Sequence, residues 1–340
     1  MASSVTIGLP VVDLSDTGAA RLGSEFGRLP TGEENLEELL AGLLATAVCE
    51  LPHELIKPVL RLRADPQAPG ALLVTGMPVD DDLPPTPTAP VPPSFTPGPV
   101  STGAILLLAI LLGEPVAYAA EKDGALVQNV FPTRDQRDQP SNESSAVALE
   151  FHTELTFSRV VPAQSFDVAA PDFVLLLALR SQPERAATTS IIEARDVCRL
   201  LDPANVEMLR QPVFELRAPH SFTQDARGSR PWSPPLALVG GPDEDPSMVF
   251  DISCGVKART PEAEVALEAL RRACADPAIH RHVSLRPGDL LVIDNHKCAH
   301  ARSPYPARFD GRDRWLLRTY VRHSIRLLQS AAGRPFRVLA

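Results

Sequence analysis

From residue 125 onward the chain alternates short apolar runs with turns, and this rhythm limits what it can fold into. The runs are ALVQNVF (125–131), AVALEFHTEL (146–155), DFVLLLAL (172–179), SMVFDIS (247–253), DLLVIDN (289–295) and RWLLRTYVRH (314–323). Runs of this length bounded by turn residues read as strands. ALLVTGMPV (71–79) adds another upstream. Only a few segments have helical spacing: EENLEELLAGLLATAV (33–48), behind an acidic first turn, and PEAEVALEALRRAC (261–274). Many short strands with few helices predict a mainly β fold with helices, a sandwich or barrel with helical buttresses. Between Pro84 and Pro99 eight of sixteen positions are proline, so that stretch forms neither helix nor central strand. Strand-like and helical runs lie directly on both sides of it. The expectation is therefore one domain over 1–340, with a proline-rich surface loop at 84–99 that would suit a lid.

Composition excludes several classes. The formal net charge is −9, so no basic excess exists to displace counterions from a nucleic acid. The five cysteines are scattered, without a Cys-x-x-Cys pair, which argues against a disulfide framework or structural zinc and fits a reducing cytoplasm. MASSVTIGLPVVDLSD lacks the basic and apolar regions of a signal peptide. The longest apolar run, Ala104 to Gly113, is too short to span a bilayer and reads as a buried helix. No GxSxG elbow, P-loop or GxGxxG is present.

Chemistry concentrates at two places. In Phe151-His152-Thr153-Glu154, an extended segment turns the side chains of His152 and Glu154 to one face, where both can bind one metal. An imidazole and a carboxylate are two-thirds of the 2-His-1-carboxylate triad that leaves three cis positions of Fe(II) open. The second place is DNHKCAHAR (294–302), where a strand runs into a His-bearing turn, followed by FDGRDRWLLR (309–318). Arg314 stands fourteen residues after His300, and Arg318 lies on the same strand face. A cosubstrate such as 2-oxoglutarate needs a cation there for its distal carboxylate, and the planar guanidinium fork supplies one.

With HTE, DNHKCAHARSP and FDGRDRWLLR together, the sequence resembles the clavaminate synthase-like branch of the Fe(II)/2-oxoglutarate-dependent oxygenases, which includes bacterial hydroxylases of free arginine, asparagine and lysine. The likeness extends upstream through LLVTGMPVDDDLPPTP and QNVFP and covers roughly residues 65 to 325. It implies a distorted jelly-roll (double-stranded β-helix) core, with Fe(II), 2-oxoglutarate and O2 as cofactors. By the same resemblance His152, Glu154 and His300 are the iron ligands. Arg314 holds the 2-oxoglutarate tail with Thr189, for which Thr188 is a rival one residue away, and Arg318 contacts a carboxylate of substrate or cosubstrate. Gln128 matches a glutamine that grips the substrate amine. Asp251 falls where hydroxylases of basic amino acids carry acids, although Ser253 occupies the partner position. Ser144 is a further candidate near the substrate. Ala301 replaces the usual glycine after the distal histidine, and RVVPAQSFD is an insertion of about nine residues.

The implied activity is hydroxylation of an unactivated C–H bond of a small-molecule substrate, a free amino acid or a derivative, in antibiotic-type biosynthesis. A desaturase, epoxidase or cyclising oxidase of a larger product is an alternative, and a non-catalytic jelly-roll metal- or ligand-binding protein is another. His296 reads as a residue that faces solvent or caps its loop, and Cys298 as an inert buried thiol, with iron or redox involvement as its rival role. The triad also sets a geometric requirement: the two histidines must lie within about 6 Å of each other, given normal ligand bond lengths.

Overall fold

The computed structural model describes residues 6–28, 35–135, 146–156, 170–182, 187–218, 230–326, 328, 330 and 333–339. Its helices are Asp16–Phe26 (α1), Leu36–Glu50 (α2), His53–Ala64 (α3), Pro99–Leu112 (α4), Ala194–Leu200 (α5), Pro203–Leu209 (α6) and Pro261–Cys274 (α7). Its strands are Thr6–Ile7 (β1), Val11–Asp13 (β2), Ala71–Thr75 (β3), Glu114–Tyr118 (β4), Gln128–Val130 (β5), Leu149–His152 (β6), Phe173–Arg180 (β7), Thr189–Glu193 (β8), Phe214–Leu216 (β9), Val239–Gly240 (β10), Ser247–Met248 (β11), Val256–Ala258 (β12), Arg281–Val283 (β13), Leu290–Asp294 (β14), Cys298–Arg302 (β15), Trp315–Arg322 (β16) and Val338–Leu339 (β17).

Two sheets carry the architecture. The larger runs β17-β4-β16-β7-β14-β3-β2, with β5 also paired to β16, and the smaller runs β1-β13-β8-β15-β6. In the larger sheet the central strands are buried on both faces, so their apolar runs are nearly continuous. Their alternate residues divide cleanly between two cores. Trp315, Leu317 and Val321 of β16, with Phe173, Leu175 and Leu177 of β7, pack on the helical side against Ile105, Leu107 and Leu108 of α4. Leu316 and Tyr320, with Val174, Leu176 and Ala178, face the smaller sheet and meet its Ile191, Val283 and Cys298. The outer face of the smaller sheet, including Ile192 and Ala299, is covered by α5–α7 and by the β9–β12 pair through Val197, Leu209, Leu267, Phe214 and Leu216.

The apolar run at 104–113 is indeed a buried helix: α4 sits beneath the sheet with α1, α2 and α3 packed on it. Such an all-round apolar helix is stable only inside. Among the described residues, no helix is long and apolar enough to cross a membrane. The helical part is larger than the sequence reading, which had no α1 or α3. Their local signals are weak, since α1 carries Gly18 and Gly23 and α3 has Pro58 in its interior. The strand expected at 247–253 shrinks to β11, and the chain beyond it makes only an isolated bridge from Asp251 to His152. The proline-rich segment forms no helix or strand up to Gly98. It is pinned along its length: Thr86 donates through its N–H to the Gly311 carbonyl and through its hydroxyl to the Asp313 carbonyl, both at 2.8 Å. Asn129 bonds the Phe95 carbonyl at 2.9 Å, and the Phe95 ring stacks on Trp315.

Leu107→Ala removes a fully buried side chain from α4 and is expected to lower the unfolding free energy by about 2–5 kcal/mol in urea titration. Leu44→Ala, at an exposed position of α2, should change it by less than about 0.5 kcal/mol.

Candidate metal centre

Strand pairing builds the centre. β6 runs antiparallel to β15, and the register sets His152 directly opposite His300. Cross-strand partners have neighbouring Cβ atoms on one face of the sheet, and the two imidazole centroids are 4.3 Å apart. His300 therefore sits on a strand and not on the turn that its sequence context suggests. The turn occupies only 295–297, and pairing resumes at Cys298. Glu154 follows β6 by two residues, and its Oε1 lies 3.5 Å from Nε2 of His300. One ligand atom from each of His152, Glu154 and His300 lies within 4.8 Å of the others, and among the described residues no second such group occurs.

This donor set fits a divalent transition metal. Ligands about 2.1 Å from one ion and at right angles to each other are separated by about 3 Å, so atoms now up to 4.8 Å apart would draw together on binding. Nδ1 of His152 is 2.8 Å from the Glu150 carbonyl, which assigns the proton to Nδ1 and leaves Nε2 as a lone-pair donor. Burial and the neighbouring His152 push the pKa of His300 down, against the pull of Glu154, so the ring is neutral as a ligand must be. Burial alone would raise the Glu154 carboxyl. The Arg318 charge and the two histidines outweigh it and hold Glu154 well below the usual carboxylate range.

Beside the triad stands a cationic wall on the interior face of β16. Arg318 sits opposite Gln128 in the β5–β16 register. Its Nε and Nη2 donate to Gln128 Oε1 at 2.9 and 2.5 Å, its Nη2 to Glu121 Oε1 at 2.6 Å, and its Nη1 to Glu154 Oε1 at 3.3 Å. The Tyr320 hydroxyl, two residues on, bonds Glu154 Oε2 at 3.1 Å and Glu121 Oε1 at 3.2 Å. Arg314 is 8% exposed, yet among the described residues its Nη1 has no hydrogen-bond partner and no acidic side chain pairs with it. Burial lowers its pKa, with Tyr305 opposing. The Tyr305 ring lies between Arg302 and Arg314, 5.1 and 5.9 Å from their guanidinium carbons. Among the described residues its buried hydroxyl has no hydrogen-bond partner either. A buried cation without a counter-ion is costly, and a ligand carboxylate would offset that cost.

The other residues singled out from the sequence separate by face. Thr189 opens β8, is buried and pairs with Arg302. It shares with Ile191 the side that faces the larger sheet, whereas the Thr188 hydroxyl is engaged by Ser284 at 3.3 Å. Asp251 is buried beside His152, but its Oδ1 closes a turn on the Cys254 N–H at 2.8 Å. Ser144 and the insertion at 159–167 lie outside the described residues. The His296 ring bonds Asp172 Oδ1 at 2.8 Å, a loop-capping role. Cys298 packs against Gly70, where a Cβ would come within 2.3 Å of its Sγ, and burial pushes its thiol pKa well up. It is no part of the metal group. Sequence reasoning missed Glu121, Asn295, Tyr305 and Tyr320. Only Tyr320 had a local signal, its position two after Arg318 on the same strand face.

Residues 105–320 match the family model for taurine catabolism dioxygenase TauD, TfdA family. L-asparagine oxygenase of Streptomyces coelicolor is 36% identical over 289 residues, covering 84% of this chain and 80% of its own length. Clavaminate synthase 2 of Streptomyces clavuligerus is 31% identical over 314 residues, covering 88% of each. The crystal structure of asparagine oxygenase in complex with Fe(II), 2S,3S-3-hydroxyasparagine and succinate superposes with a TM-score of 0.83 at 30% identity, covering 97% of this chain and 98% of that one.

His300→Ala and Glu154→Ala should each remove stoichiometric binding of Co(II), an Fe(II) surrogate, in calorimetric titration while leaving the circular dichroism spectrum unchanged. Binding at wild-type affinity in either variant would exclude that side chain as a ligand.

Proposed function

The chain belongs to the TauD/TfdA dioxygenase family, in its clavaminate synthase-like branch, and from that premise we propose that it hydroxylates an unactivated C–H bond of a free amino acid or small amino-acid derivative in antibiotic-type biosynthesis. It is an Fe(II)- and 2-oxoglutarate-dependent dioxygenase that consumes O2. The observation that carries the substrate reading is the triad's position beside Arg318, Glu121 and Gln128 in one buried cluster. An amino acid brings a carboxylate and an ammonium to the same carbon. Arg318 offers the cation for the first, and Glu121 with the Gln128 carbonyl offers acceptors for the second. Without substrate these groups bond to one another, so a zwitterion replaces an internal ion pair and leaves no charge bare.

In this reading His152, Glu154 and His300 hold the iron, and three protein ligands leave cis positions open for cosubstrate and O2. Bound there, iron would activate O2 with electrons from 2-oxoglutarate, which would leave as succinate and CO2, and so would supply the oxidant for C–H cleavage. Arg314 takes the distal carboxylate of 2-oxoglutarate, with Thr189 on the facing strand and the Tyr305 hydroxyl as a neighbouring donor. Its buried guanidinium, unpaired among the described acids, speaks against a non-catalytic binding protein, which has no use for such a group. The engagement of Asp251 Oδ1 within its own turn leaves that residue as a wall of the substrate pocket more than as a free counter-ion, and so favours a neutral side chain over a basic one. The two facing sheets are read as a distorted jelly-roll in one oxygenase domain over 1–340. Five free thiols fit a reducing cytoplasm.

Succinate release in the presence of Fe(II), 2-oxoglutarate and O2 should rise with one or a few members of a panel of free amino acids, with the product heavier by one oxygen. No response to any free amino acid would reject free amino acids as the substrate and leave only a derivative. Arg314→Ala should raise the KM for 2-oxoglutarate roughly 10- to 150-fold, the loss of a charge-assisted contact of about 1.5–3 kcal/mol. An unchanged KM would remove Arg314 from the cosubstrate site.

A further inference from the structure

The metal-binding face ends in a backbone irregularity. Directly after Glu154, Leu155 has φ 54°, a left-handed conformation in which a leucine's Cβ crowds the following carbonyl. Such strain persists only where surrounding contacts over-determine it. At this point the chain has already left its sheet: β6 ends at His152, and among the described residues no strand pairs with Glu154 to satisfy its main chain.

Asn295 stands in for that strand. The Glu154 N–H donates to Asn295 Oδ1 at 2.7 Å, and Asn295 Nδ2 donates to the Glu154 carbonyl at 3.2 Å. The same Nδ2 also donates to the Pro171 carbonyl at 3.0 Å, so the carboxamide uses its acceptor and both of its hydrogens. Asn295 is only 3% exposed. Its own N–H is bonded to the Asp172 carbonyl at 2.9 Å. The turn that carries it is closed by Asp294 Oδ1, which accepts from the N–H groups of His296 and Lys297. The side chain is thus a fixed peptide-like unit that grips both backbone polar groups of one residue across 141 positions of sequence.

We propose that Asn295 is a positioning residue for the metal centre. It acts through the Glu154 main chain, holding the residue in the strained turn that aims its carboxylate at the face formed by His152 and His300. The inference rests on the reading of Glu154 as a metal ligand. Both shells of the centre then grow from one segment, since the turn holding Glu154 leads within five residues to His300. Asparagine suits the position where aspartate does not: a carboxylate could still accept from the Glu154 N–H, but it would set an oxygen against the carbonyls of Glu154 and Pro171.

The test compares calorimetric Co(II) affinities of wild type, Asn295→Ala, Asn295→Asp, Glu154→Ala and Leu107→Ala, the last a destabilised control in the helical core on the other face of β16. Asn295→Ala should bind the metal roughly 10- to 100-fold more weakly than wild type, Asn295→Asp at least as weakly, and Leu107→Ala unchanged. Wild-type affinity in Asn295→Ala or Asn295→Asp overturns the inference, as does an equal loss in Leu107→Ala, which would mark a general effect of stability. If Glu154→Ala binds as wild type does, the reading of Glu154 as a ligand fails instead. A measurement on the wild type covers the case in which the variants do not fold. In the metal-free protein the Glu154 amide hydrogen should exchange slowly, and exchange at the rate of an open turn would overturn the clamp.

Discussion

The antiparallel pairing of β6 with β15 is the constraint on which the rest depends. It brings two histidines 148 positions apart into one cross-strand pair, His152 against His300. Strand side chains alternate with a period of two, so a slip of one residue would turn one imidazole to the opposite face of the sheet and dissolve the centre. The register is guarded from both sides. Inward, Leu155 just past β6 and Cys298 of β15 belong to the core between the sheets, and outward, Phe151 of β6 packs against the core under α7 that holds Ala299 of β15. Any slip would send apolar groups to the wrong core.

The same alternation gives β16 its double use. One face closes the helical core through Trp315, Leu317 and Val321, and the other carries the charged wall beside the triad. Burying Arg314, Arg318, Glu121 and Glu154 in one region is poor economy for a fold alone, because each desolvated charge must find a partner. Arg318 meets its demand with two carboxylates and the Gln128 carbonyl. Among the described residues Arg314 finds no partner for Nη1. Perturbed and incompletely satisfied groups of this kind are what functional pockets are made of.

The legible part of the site lay in short periodicities. Arg314 and Arg318, four apart in an extended run, were readable as a shared face because strands fix side-chain direction, and His152 and Glu154 as a close pair, although Glu154 lies past the end of β6 and owes its aim to the turn there and not to strand alternation. The central strands β7, β14 and β16 were equally readable from their continuous apolar runs. What escaped depended on distant contacts or weak local signals. Glu121 sits in a loop with no periodicity, and only the packing of β4 and β5 against β16 carries it to Arg318. Asn295 reaches Glu154 across 141 positions. Asp251 was readable as an acid near the pocket but not as one already bonded to its own turn. The helices α1 and α3 owe their place to burial of Leu22, Phe26, Leu55 and Val59 against the α4 layer more than to local propensity.

Anomalous diffraction at the iron edge, from crystals grown anaerobically with Fe(II) and 2-oxoglutarate, tests the central claim most directly. One strong peak is expected, about 2.0–2.3 Å from a nitrogen of His152, a nitrogen of His300 and a carboxylate oxygen of Glu154. A peak bound through other side chains, or one lacking any of these three, would contradict it.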